Sequence, residues 1–194
     1  IIAQRAAWVQ PRGLISCIHP GDTVNSPPLR ITRTHIAWML DRPVKTPCIG
    51  VCSTGIGDNV CRGCKRFCHE VIDWNSYTPA QKQVIDERLR DVLSRCVSNK
   101  LRVTDSALLQ WQLRVQQISY NENHDEYCWV FTLLKAGAGQ IASTGDYGFE
   151  VDASFRDLSL SELREMIDQE FFVLSEAYYE RYMLTPDLFA GQDS

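Results

Sequence analysis

Pro47-Cys48-Ile49-Gly50-Val51-Cys52, followed after eight residues by Cys61-Arg62-Gly63-Cys64, is the stretch that decides how this chain is read. Two close cysteine pairs on a short loop can bring four thiolates to the corners of a tetrahedron. Gly55 and Gly57 lie in the connection and Gly63 inside the second pair, which lets the backbone wrap a centre. Pro47 fixes the chain just before the first thiol. The surrounding residues are polar and show neither helical nor strand period, so packing alone gives no reason to bury four thiols there. The pattern therefore points to metal ligation by Cys48, Cys52, Cys61 and Cys64. Zinc and an iron–sulfur cluster both accept four thiolates. The three-residue gap of the first pair departs from the frequent zinc spacing and tilts the reading towards iron.

These residues also carry a resemblance. Pro47 to Cys52, Cys61-Arg62-Gly63-Cys64-Lys65-Arg66, Glu70-Val71-Ile72-Asp73-Trp74 and the helix from Thr78 to Leu89 resemble the family named "domain of unknown function 1289", over about residues 44–90. Its members are bacterial and described as predicted iron–sulfur proteins. With its helical tail, the chain is similar to proteins of pseudomonads and their relatives. The resemblance implies that Cys48, Cys52, Cys61 and Cys64 hold a cluster such as 4Fe-4S; it implies no reaction, and enzyme activity stays open. Cys68 departs from the family pattern. It reads as a buried apolar position, with a spare ligand or redox thiol as the alternative. His69 as a substitute ligand is disfavoured, because neighbouring residues diverge on a helix. Arg62, Lys65 and Arg66 are either counter-charges to an anionic centre or a solvated basic loop.

Outward from the loop, the chain reads as a folded protein. Its 194 residues are 44% hydrophobic and 23% charged, which excludes wholesale disorder. The apolar runs fall short of the ~20 residues of a membrane span. The eight cysteines (17, 48, 52, 61, 64, 68, 96 and 128) come without a secretory pattern, so reduced thiols in a cytoplasmic setting are expected. The net charge of −4 divides into +3 over residues 1–38, +3 over 39–100 and −10 over 101–194. That polarity fits solvated helix faces, or one region facing another. Residues 1–38 lack Met and any sustained period, and Met39 opens a stretch like a cytosolic N-terminus. They read as an extraneous or disordered extension.

The rest is mainly α. A short helix is expected near Lys65–Trp74. Ser76 or Thr78 caps a strong helix with Pro79 in its first turn, running to about Cys96–Ser98, with Ile85, Leu89, Val92, Leu93 and Cys96 on one face. Thr104 or Asp105 caps a helix from Ser106 to about Gln116, with Leu108, Leu109, Trp111 and Val115 as its apolar residues. Ile118–Tyr120 and Phe149–Phe155 are candidate strands. Tyr127, Val130, Phe131 and Leu134 mark a helix ending near Gly137, where Gly137-Ala138-Gly139 reads as a helix end and not a phosphate loop. Ser159 and Glu162 form a capping box for a helix from Leu160 to Met183. Its core face is Leu163, Ile167, Phe171, Leu174, Tyr178 and Tyr182. Phe172 and Tyr179 lie on a second stripe among Glu165, Glu176 and Glu180, which marks either a partner surface or a helix buried on two sides. His124, Asp125, Glu126 and Cys128 read as a loop and helix cap in preference to a second metal site.

The expected organisation is an extension at 1–38, a four-cysteine module with its following helices at 39–98, and an acidic α-helical region at 99–194. The expected fold is an irregular metal-binding loop followed by a small helical bundle, with one short two-stranded β element as an option. The expected function is a cytoplasmic iron–sulfur protein with an electron-transfer or accessory role and a protein partner. The alternative is a structural zinc adaptor that contacts a protein or nucleic acid through Arg62, Lys65, Arg66 and Lys82.

Overall fold

The computed structural model describes residues 44–184. The expectations for residues 1–38, Met39 and Cys17 lie outside that range. Within it the protein is mainly α, with one small antiparallel sheet. The elements are α1 (Cys68–Ile72), α2 (Pro79–Ser98), β1 (Leu101–Val103), α3 (Ser106–Val115), α4 (Glu126–Gly137), β2 (Phe149–Val151) and α5 (Leu160–Tyr179), the last continued by a π-helical turn, Glu180–Leu184.

Local chemistry fixes most helix starts. Thr78 accepts from the Gln81 N–H and Gln81 returns the bond, with Pro79 in the first turn of α2. Asp105 caps α3 through the Leu108 N–H, and Asp125 caps α4 through the Cys128 N–H. Ser159 and Glu162 close the expected box on α5. Each cap satisfies backbone donors that the first helical turn leaves free.

The long helices share one apolar core. Leu89, Val92, Cys96 and Val97 of α2 meet Leu109 and Leu113 of α3, Val130, Phe131 and Leu134 of α4, and Leu163, Ile167 and Phe171 of α5. Each fully buried leucine contributes about 1.5–3 kcal/mol. On α3 the buried positions are Leu109 and Leu113, four apart; the apolar residues Trp111 and Val115 are exposed.

The sheet corrects both expected strands: Phe149–Phe155 is a strand only over Phe149–Val151, with a 3-10 turn at Ala153–Phe155. Ile118–Tyr120 forms no strand: Gln117 takes a left-handed φ of 57° and the Ile118 N–H bonds back to Leu113 O, which closes α3 with a Schellman turn. Tyr120 then packs edge-on against Trp129 of α4, 5.5 Å between centroids. The strand sits instead at Leu101–Val103 and pairs with Phe149–Val151 in the register Leu101↔Val151, Arg102↔Glu150, Val103↔Phe149. Gly148, at φ 74°, makes this possible. Its carbonyl accepts from the Thr104 and Asp105 N–H groups, and a Cβ there would collide with the Asp105 carbonyl.

Among the described residues, no helix is long and apolar enough to cross a membrane.

Candidate metal centre

The second cysteine pair sits at the tip of a tight hairpin. Val60 and Phe67 bridge antiparallel, the Cys61 N–H donates to Arg66 O (2.8 Å) and the Lys65 N–H to Cys61 O (2.7 Å). Lys65 closes the turn with φ 60°, a left-handed conformation that few non-glycine residues adopt. Cys61 and Cys64 are both buried. Burial opposes ionisation of Cys61, but the N–H groups of Cys64, Ser53 and Gly63 and the Cys64 thiol outweigh it and bring that thiol down to about 7. Cys64 moves the other way: burial pushes its thiol up, although Arg66 beside it favours the thiolate.

The first pair lies across this tip. Cys48 and Cys52 are exposed. Cys48 Sγ accepts from the Gly50 N–H (3.4 Å), and Cys52 Sγ lies 3.0 Å from Thr54 Oγ1. The two loops touch at Gly63, where a Cβ would stand 3.0 Å from Val51 O and 2.9 Å from the Ile49 side chain. Cys61 Sγ is 3.9 Å from the same Val51 O. Gly63 is therefore required for close approach, not for an unusual φ. Among the described residues, no three His, Cys, Asp or Glu side chains converge as they would around an ion. The structure brings Cys61 and Cys64 together and lays the Cys48–Cys52 segment against them.

Arg66 is the residue that sequence reasoning undervalued. It is 3% exposed, with Nε donating to Cys64 Sγ (3.4 Å) and its guanidinium 4.7 Å from the centre of the Trp74 ring. Its Nη1 is buried without a hydrogen-bond partner, and no carboxylate of the described residues lies within 4 Å of it. Lys65 is 1% exposed and gives its ammonium to Arg62 O (2.7 Å) and Asp168 of α5 (2.6 Å). With Lys65 and Arg66 buried, the expected basic outer face is reduced to exposed Arg62 and half-buried Lys82. The only available sequence signal was the placing of these two cations directly behind the second pair.

The loop docks on α5 through a second apolar cluster of Val60, Phe67 and Phe172, flanked by Tyr179. Phe67 meets Tyr179 edge-on at 5.3 Å, and Arg62 lies over the Phe172 ring at 5.3 Å. The second stripe of α5 is thus covered by this chain's own cysteine loop. Cys68 opens α1, half-buried, with Sγ 4.0 Å from the Tyr179 hydroxyl. His69 faces the Phe67 ring at 5.8 Å. His124 pairs with Asp86 at 2.9 Å, and Cys128 donates to Arg90 O, so the 124–128 segment is a cap and a helix contact as expected.

The family model described as "Protein of unknown function (DUF1289)" matches residues 46–92, the stretch from the first cysteine pair through most of α2. No curated protein and no solved structure matched the chain.

Proposed function

We propose that Cys48, Cys52, Cys61 and Cys64 hold an iron–sulfur centre and that the protein serves an electron-carrying or accessory role with a protein partner in the cytoplasm. Arg66 is the observation that carries this reading. A buried guanidinium without a counter-ion costs several kcal/mol. Four thiolates around a metal remain net negative, which would supply the missing anion beside Cys64. When bound, an iron–sulfur cluster supplies one-electron transfer. The chain's own part is to favour the Cys61 thiolate through the N–H groups of Ser53, Gly63 and Cys64, to keep Cys61 and Cys64 from water, and to hold the Arg66 charge against Cys64 Sγ.

A structural zinc site is the second reading, favoured by one observation. Cys61 and Cys64 share one buried hairpin tip, and a zinc about 2.3 Å from each sulfur would hold them roughly 3.8 Å apart. That suits chelation of one metal atom by both.

Anaerobic purification with metal and sulfide analysis separates the two. A brown protein with iron and acid-labile sulfide is expected; a colourless protein with one zinc establishes the second reading. A chain that takes up neither metal overturns both. Arg66 gives an independent check. Arg66→Met should stabilise the metal-free protein by about 1–2 kcal/mol, because it removes a buried unpaired charge. The same substitution should weaken metal retention about tenfold. Denaturant melts of both forms measure this. Loss of stability in the metal-free variant would contradict the role given to Arg66.

A further inference from the structure

We infer that the cavity between the cysteine loop and helices α4 and α5 binds a compact phosphate-bearing anion. The cavity is about 150 Å³. Four cations line it, Arg62 and Lys65 from the loop, Lys135 from α4 and Arg164 from α5, against one lining carboxylate, Asp168. Ile49 and Phe131 supply apolar wall, and Gly63 supplies bare backbone. Charges of one sign in a concave, partly apolar site focus the field and raise the local concentration of the opposite ion.

Chance clustering of surface lysines does not explain the arrangement. Lys65 is 1% exposed, and its ammonium is fixed in this wall by Arg62 O (2.7 Å) and Asp168 (2.6 Å). The other three cations are lightly committed. Arg62 pairs with Asp58 and Arg164 with its neighbour Glu165, both surface pairs of little energy, and Lys135 rests 5.7 Å from the Phe131 ring centre. Of the surrounding carboxylates, Asp58, Glu176 and Glu165 act on the Arg62 and Arg164 guanidiniums, and Asp168 alone lines the wall.

The chemistry selects phosphate among anions. Two guanidinium forks and the Lys135 ammonium present donors from three elements, which matches a multiply charged tetrahedral oxyanion. A singly charged carboxylate would gain little over the resident Asp168. The volume admits a phosphate with a few further atoms and is below the ~300 Å³ of ordinary small-molecule sites. The site needs no particular metal, so it stands or falls apart from the metal reading.

Calorimetric titration of the full chain with inorganic phosphate and with methyl phosphate, at ionic strength matched with chloride, tests this. Saturable binding of either is expected. Preference for the ester identifies a phosphorylated small molecule, and preference for the free ion identifies phosphate itself. Lys135→Gln/Arg164→Gln, which alters no candidate metal ligand, should weaken binding by about tenfold or more. Absence of saturable binding to the parent chain overturns the inference, as does equal binding by the double variant. Metal content measured on the same samples reports separately on the centre.

Discussion

Cys61→Ser should lower the metal content of the purified protein more than about tenfold, beyond the effect of losing an outer-shell contact. The N–H groups of Cys64, Ser53 and Gly63 favour the Cys61 thiolate, and its own backbone closes the hairpin at both the N–H and the carbonyl. A serine hydroxyl fits the same space but stays protonated and is a harder, weaker ligand for zinc or iron. The hairpin would survive and the metal would not. Cys96→Ser and Cys128→Ser are the matched controls. Both thiols are buried in the helical body and pushed up by burial, Cys96 to about 11. Their loss should leave metal content unchanged while costing stability. Full metal loading in Cys61→Ser would refute the four-cysteine assignment.

The helices were legible because their information is local. Thr78 with Pro79 and Gln81, Asp105, and Ser159 with Glu162 each sit within one turn of the backbone groups they satisfy. The strand at Leu101–Val103 was not legible. Three residues carry no period, and the partner strand lies nearly fifty residues downstream, its register set by Gly148. The site divides in the same way. The four cysteines announce themselves by spacing, but loop cations are solvated by default. Only tertiary packing shows Lys65 reaching across to Asp168 and Arg66 enclosed beside Cys64 and Trp74. The aromatic stripe of α5 was visible as a surface in need of cover. That the cover is the chain's own loop depends on contacts such as Phe67 with Tyr179, more than a hundred residues apart.

This docking makes Glu70 the residue whose loss should cost most stability. Glu70 is 6% exposed, and its Oε2 accepts from both the Phe67 N–H (2.8 Å) and Arg88 of α2 (2.6 Å). Arg88 lies over the Phe67 ring at 3.7 Å, and burial lowers its pKa against the opposing pull of Glu70. One carboxylate therefore ties the start of α1, the hairpin strand that carries Cys64 and the middle of α2. Glu70→Ala strands a mostly buried guanidinium and an amide donor together, a loss of about 3–5 kcal/mol. For a protein of this size that is a fall in melting temperature of roughly 10 °C or more. Replacing both partners, Glu70→Ala with Arg88→Met, removes the stranded charge and should recover a large part of the loss, so the double-mutant cycle should show strong coupling. Thermal melts of the two single variants and the double variant decide the matter. A shift below about 2 °C for Glu70→Ala, or simple additivity in the cycle, would mean that the loop is held to α2 by apolar contact alone.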